Sequence, residues 1–281
     1  MRQRLGISVV AFVVGILLGV TPADATTPKR PAYVLHQRAV FNAQRRALAS
    51  TTRAVASSPR AAQPIADNFT VLGHTDLGAT DTNGDVWVHG DYAYVGTWAE
   101  PCDGLGAKVI DISEPTDPTP VGRVGAFPGT SAEDVEVRSV STASFTGDLL
   151  AVGIQRCDYS DESLDDDLFG VAFYDVSDPL NPVLLGNLGL TTGGGGVHEL
   201  DMFERGANVY ALLATPFSEW FDPSGQGDFW IADVTDPTDP TVVSEWGAGR
   251  AGLTRGPFDG LGAFGASFGH SARASADGQT A

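Results

Sequence analysis

The chain has 281 residues, 42% hydrophobic and 19% charged, a globular composition that excludes a wholly disordered or collagen-like polymer. Its 34 Gly and 17 Pro, against only 2 Met, point to a turn-dense β protein rather than a helical bundle. A formal charge of -18 opposes a nucleic-acid partner, whose phosphates repel it, and 2 cysteines are too few for a disulfide-framework miniprotein or an all-cysteine zinc site.

Met1 to Arg4 is basic, Ile7 to Val20 is apolar, and Ala23-Asp24-Ala25 offers the small residues that signal peptidase reads. Residues 1–25 are therefore expected to be a secretory signal cleaved after Ala25, which places the chain outside the cell or on its surface. The other reading is an uncleaved anchor: Leu5 to Ala23 carries no charge and approaches the roughly 20 residues that span a bilayer. Only that segment would then touch a membrane. Residues 26–66 follow as a basic Ala/Arg-rich linker or short helix, holding Lys29, Arg30, Arg38, Arg45, Arg46, Arg53 and Arg60 and no acid. Of the 35 acids only Asp24 precedes Asp67, so a domain boundary is expected there.

From Asp67 the sequence repeats. Ile110-Asp111-Ile112-Ser113-Glu114-Pro115, Tyr174-Asp175-Val176-Ser177-Asp178-Pro179 and Ala232-Asp233-Val234-Thr235-Asp236-Pro237 share one pattern, each followed by a second proline (Pro118, Pro182, Pro240). The aspartates are 64 and then 58 residues apart. Apolar residues before each Asp suit a strand buried on both faces. The Asp and Ser/Thr side chains can bond nearby amides, and each Pro fixes φ and withholds a donor, so the chain must turn. A new strand is expected after each corner: Thr119 to Val124, Val183 to Leu188, Thr241 to Trp246.

Upstream of each corner lies a hairpin pattern, turning at Gly90-Asp91, around Gly147-Asp148 and at Arg205-Gly206. Four antiparallel strands repeated about an axis is the plan of a β-propeller. The repeated Asp and Ser-Asp-Pro corner resemble the LVIVD-repeat family of bacterial extracellular β-propellers, over roughly residues 67 to 281. The resemblance implies a secreted, repeat-built binding or surface protein and brings no catalytic motif with it. Asn68 to Gly78 is similar to Asn181 to Gly189 and is expected to be an outermost strand that completes the ring. Gly269 to Ala281 begins a fourth unit. The expected fold is thus all-β, an incomplete propeller of three four-stranded antiparallel blades and the start of a fourth, truncated at the C-terminus.

Within that frame several groups stand out. Asp85, Asp134, His198, Glu199 and His270 fall at the starts of inner strands, where propellers point side chains at the channel mouth, and can hold a divalent metal or polar ligand. The bland alternative is that each satisfies backbone at a strand start. Cys102 and Cys157 follow the second strands of neighbouring blades, so they form either a disulfide or two free thiols. Asp158, Asp161, Glu162, Asp165, Asp166 and Asp167 crowd one loop as a candidate calcium site or a solvated acidic loop. Asp81-Thr82-Asn83-Gly84-Asp85 reads as a turn into the first strand, Gly193 to Gly196 as a flexible inter-blade loop, and Arg250 to Gly269 as an insertion that caps the channel or meets a partner. No nucleophile elbow, zinc-protease helix or Walker loop is present. The leading expectation is a non-enzymatic scaffold for an extracellular protein or surface glycan. The alternative is a metal-assisted hydrolase or lyase working through the mouth residues.

Overall fold

The computed structural model describes residues 69–77, 82–98, 106–157, 168–190, 195–216, 218, 227–247, 251 and 269–281. The expected signal and basic arm (1–66) and nearly all of the Arg250 to Gly269 insertion lie outside them. The described residues hold twelve strands: β1 (Thr82–His89), β2 (Tyr92–Trp98), β3 (Ala107–Asp111), β4 (Thr119–Val124), β5 (Thr130–Ser141), β6 (Thr146–Arg156), β7 (Gly170–Asp175), β8 (Val183–Gly189), β9 (Glu199–Arg205), β10 (Asn208–Ala214), β11 (Phe229–Asp233) and β12 (Thr241–Trp246). All neighbouring pairs are antiparallel, and they form three successive four-strand meanders, β1–β4, β5–β8 and β9–β12. One pairing, Thr97 with Ala132, joins the first two meanders into a continuous sheet. The architecture is all-β, curled and propeller-like.

The repeated corner has one geometry. Asp111 Oδ1 accepts Ser113 N–H, Asp175 Oδ1 accepts Ser177 N–H and Asp233 Oδ1 accepts Thr235 N–H, each at 2.9 Å. The next turn closes between Asp117 N and Glu114 O, Asn181 N and Asp178 O, and Asp239 N and Asp236 O. Even the irregularity in strand pairing recurs two residues before each Asp, at Val109/Ile110, Phe173/Tyr174 and Ile231/Ala232. Local bonding of an Asx type, followed by proline, is sufficient to end the strand and start the next.

Packing between meanders follows the two-residue period of a strand. On β6 and β7, Leu149, Ala151, Val171 and Phe173 face the third meander, packing with Leu200, Leu213 and Trp230. The alternate residues Leu150, Val152, Ile154, Ala172 and Tyr174 face the first, against Tyr94, Val109 and Val124. Strands buried on both faces need both sets apolar, which is why they read as unbroken apolar runs. The expectation of two-sided burial fails for β11: Trp230 and Ala232 are buried, whereas Phe229 and Ile231 are half-buried, and among the described residues the Ile231 flank is covered in part by the 274–281 segment.

Three further expectations are corrected. The second hairpin turns at Thr142–Phe145, where Thr142 Oγ1 accepts Ser144 and Phe145 N–H, and Gly147-Asp148 lies inside β6. Thr82–Asp85 belongs to β1, with a register shift between Asn83 and Val86, so it is a bulged strand start rather than a turn. Gly195–Gly196 is tied down: Gly195 O accepts Arg156 N–H at 2.6 Å and Gly196 bridges Gln155. Residues 69–77 form no strand ladder, yet Gly73 abuts the Pro115–Pro118 corner just as Gly186 of β8 abuts the Pro237–Pro240 corner. At both glycines a Cβ would meet a corner carbonyl, so the segment holds the place of an outer strand without pairing as one.

Candidate functional site

The first strands of successive meanders lie side by side, with β1 against β5 and β5 against β9, and residues 273–274 continue the series beside β9. Neighbouring first strands approach without a backbone ladder, so the edge amides of β9 need other acceptors. Alternate acids of β5 supply them. Asp134 Oδ2 accepts Leu200 N–H at 2.6 Å and Glu136 Oε2 accepts Met202 N–H at 2.7 Å. One strand further on, Asp201 Oδ2 accepts Ala274 N–H at 2.7 Å. Glu136 is also held by Arg138 Nε at 2.6 Å.

At the starts of these strands the side chains converge. Both β1 and β5 bulge there, between Asn83 and Val86 and between Ala132 and Val135, and a bulge re-aims the residues within it. Asp85 and Asp134 each cap their own next amide, Val86 and Val135. Burial, followed by repulsion from the nearby Asp85 carboxyl, pushes Asp134 up to about 8, against the pull of Leu200 N–H and Arg273. Asp134 therefore keeps its proton near neutrality.

Beside it, His198 and His270 bring their Nε2 atoms within 2.9 Å, rings perpendicular with centroids 4.4 Å apart. Each imidazole has a carboxylate at its other nitrogen. Glu133 Oε2 is 2.6 Å from His198 Nδ1, a close ion-pair contact without hydrogen-bond alignment, and Gln155 Oε1 is 3.4 Å away. Glu199 Oε1 is 3.2 Å from His270 Nδ1. Burial opposes charging of His198, but Glu133, Glu199 and Asp134 outweigh it and raise its pKa. His270 is lowered, by burial and then by the charge on His198. Burial raises Glu133, partly offset by His198. His198 is thus the more readily charged of the two rings.

All five residues expected at the channel mouth, Asp85, Asp134, His198, Glu199 and His270, share this neighbourhood. His198 is 5% exposed, whereas the His270 side chain is 59% exposed, so the cluster is rooted in the seam and open on one side. Glu133 and Arg273 are functional neighbours that the sequence reading missed. Aligning the strand starts Gly84-Asp85, Glu133-Asp134, His198-Glu199 and His270-Ser271 would have found Glu133. Asp158, Asp161, Glu162, Asp165, Asp166, Asp167 and Cys102 lie outside the described residues. Cys157 follows β6, its N–H donated to Gly129 O at 2.9 Å.

Fold and rim together define a propeller-like protein built from tandem four-stranded repeats. The LVIVD repeat family model matches residues 82–125, the span of β1 to β4, so the first meander carries an LVIVD repeat and one family repeat corresponds to one meander. No curated protein matches it.

Proposed function

We propose that the chain is an exported, non-enzymatic β-propeller scaffold whose meanders are blades, with residues 269–281 opening a fourth, and whose rim of first-strand starts binds an extracellular protein or a surface glycan. The single observation that carries this reading is the collection of Asp85, Asp134, His198, Glu199 and His270, from successive first strands, at one open rim. Export is supported by the basic, apolar and small-residue order of residues 1–25. A Cys102–Cys157 disulfide between the first two blades belongs to the same reading, supported by the lack of a free thiol among the described residues.

Two experiments test it. Fractionation of cells expressing the full chain should give protein in the medium or on the surface beginning at Thr26; cytoplasmic protein retaining residues 1–25 contradicts the address. A labelled full chain applied to arrays of surface glycans and extracellular proteins should bind, and Asp85→Ala with His270→Ala should abolish binding. Equal binding by the variant removes the rim from the proposal.

A further inference from the structure

We propose that His198, His270 and Glu199 form a binding site for a first-row divalent metal, zinc in the first instance. The inference deepens the reading of the rim as the working face, since it names a ligand for that same site.

The geometry is specific. Carboxylates stand behind both Nδ1 atoms, at 2.6 Å for His198 and 3.2 Å for His270. A carboxylate close to each Nδ1 favours the proton on that nitrogen and leaves the lone pair on Nε2, the same kind of backing that metal-ligating histidines have. Two such lone pairs then face one another at 2.9 Å, which is repulsive unless a cation lies between them. A proton is one such cation and a metal is the other. Zinc–nitrogen bonds of about 2.0–2.1 Å in a tetrahedral arrangement place two ligand nitrogens about 3.3 Å apart. The rings must therefore separate by about 0.4 Å relative to that arrangement, a movement open to His270, which is on the solvent side.

Ligand atoms of His198, Glu199 and His270 all lie within 4.8 Å of one another. Glu199 takes the third position by leaving His270 Nδ1 to water, and the solvent-facing side supplies a fourth position for water or a partner's oxygen or nitrogen. Glu133 remains behind His198. Two imidazoles and one carboxylate suit zinc and its transition-metal neighbours; calcium prefers a shell of oxygens. Four carboxyl groups, Glu133, Glu199, Asp85 and Asp134, gather around these rings, an environment that favours a cation.

The test uses the full chain stripped by a chelator, then titrated with Zn(II) by calorimetry and with Co(II) by visible absorption. One equivalent of zinc is expected, with a tetrahedral cobalt spectrum and affinity that falls on acidification as protons compete. His270→Ala, at an exposed position that leaves the seam intact, should lower zinc affinity at least about a hundredfold, and Glu133→Gln, acting through His198, about tenfold to a hundredfold. Absence of stoichiometric zinc binding, or an affinity unchanged in His270→Ala, overturns the site. If zinc fails to bind while the rim variant still loses its glycan or protein partner, the metal site falls and the scaffold stands. If zinc binds and partner binding ignores the rim, the scaffold reading falls and the metal site stands.

Discussion

The second and third meanders share corner geometry to within about two tenths of an ångström, yet they differ in what they bury. Phe173 on β7 is fully enclosed between neighbouring meanders, whereas its counterpart Ile231 on β11 is half-exposed. Asp175 and Asp233 nonetheless hold the same bond at 2.9 Å. Strand ends are thus set by local side-chain-to-backbone bonding, and burial by the presence of a neighbour. Among the described residues the outer flank of the third meander is less filled: Phe203 and Tyr210 stack at 5.5 Å over a cavity of about 330 Å³ that residues 274–281 help to line.

That contrast can be broken or sharpened. The largest effect is expected from Phe173→Ala, which opens the seam core and should cost about 3–5 kcal/mol in urea denaturation, against about 1 kcal/mol for Ile231→Ala. Equal losses would erase the distinction between the two units.

Next comes pH. A folded pKa raised to about 8 at Asp134 stabilises the fold fully below the unfolded value near 4, and that stability is lost as pH rises through about 8. The charged and titratable groups facing it are Asp85, Arg273 and His198. Denaturation midpoints of the wild type should fall across that window, on the order of a few kcal/mol in all, and the Asp134→Asn variant should be flatter. A parallel decline in both would remove Asp134 as the cause.

A smaller loss, about 1–3 kcal/mol, is expected for Glu136→Ala, which leaves the Met202 amide without its buried acceptor and should speed its hydrogen exchange; unchanged protection of that amide in the variant would contradict the bond. Smallest is the corner itself. Asp175→Ala and Asp233→Ala should each cost about 1 kcal/mol and agree with one another despite the difference in burial around them. Unequal costs would mean that the corner depends on its neighbours.

Much of this fold is legible in the sequence because its rules are local. The Asp-Ser-Pro corners, the strands after them, and the hairpins at Gly90-Asp91 and Arg205-Gly206 all follow from turn chemistry over a few residues. The hairpin at Thr142–Phe145 is missed because Thr142 turns the chain by its hydroxyl, a weaker signal than the Gly-Asp pair that follows in β6. Residues 69–77 match an outer strand in pattern but lack a ladder, since a strand needs a partner that pattern alone does not provide. At the rim, position in the repeat suffices to gather five residues. Glu133 and Arg273 escape because their roles arise across the seam, from residues roughly 65 to 140 apart in the chain, where no local period points to them.

The central claim is that first strands of successive repeats align so that side chains far apart in sequence meet at one rim. The imidazole protons of His198 and His270 test it most directly, through nuclear Overhauser effects in the full chain assigned with His198→Gln and His270→Gln. With ring centroids 4.4 Å apart, a clear cross-peak between the two rings is expected. Its absence, with both rings assigned and the protein folded, would contradict the alignment.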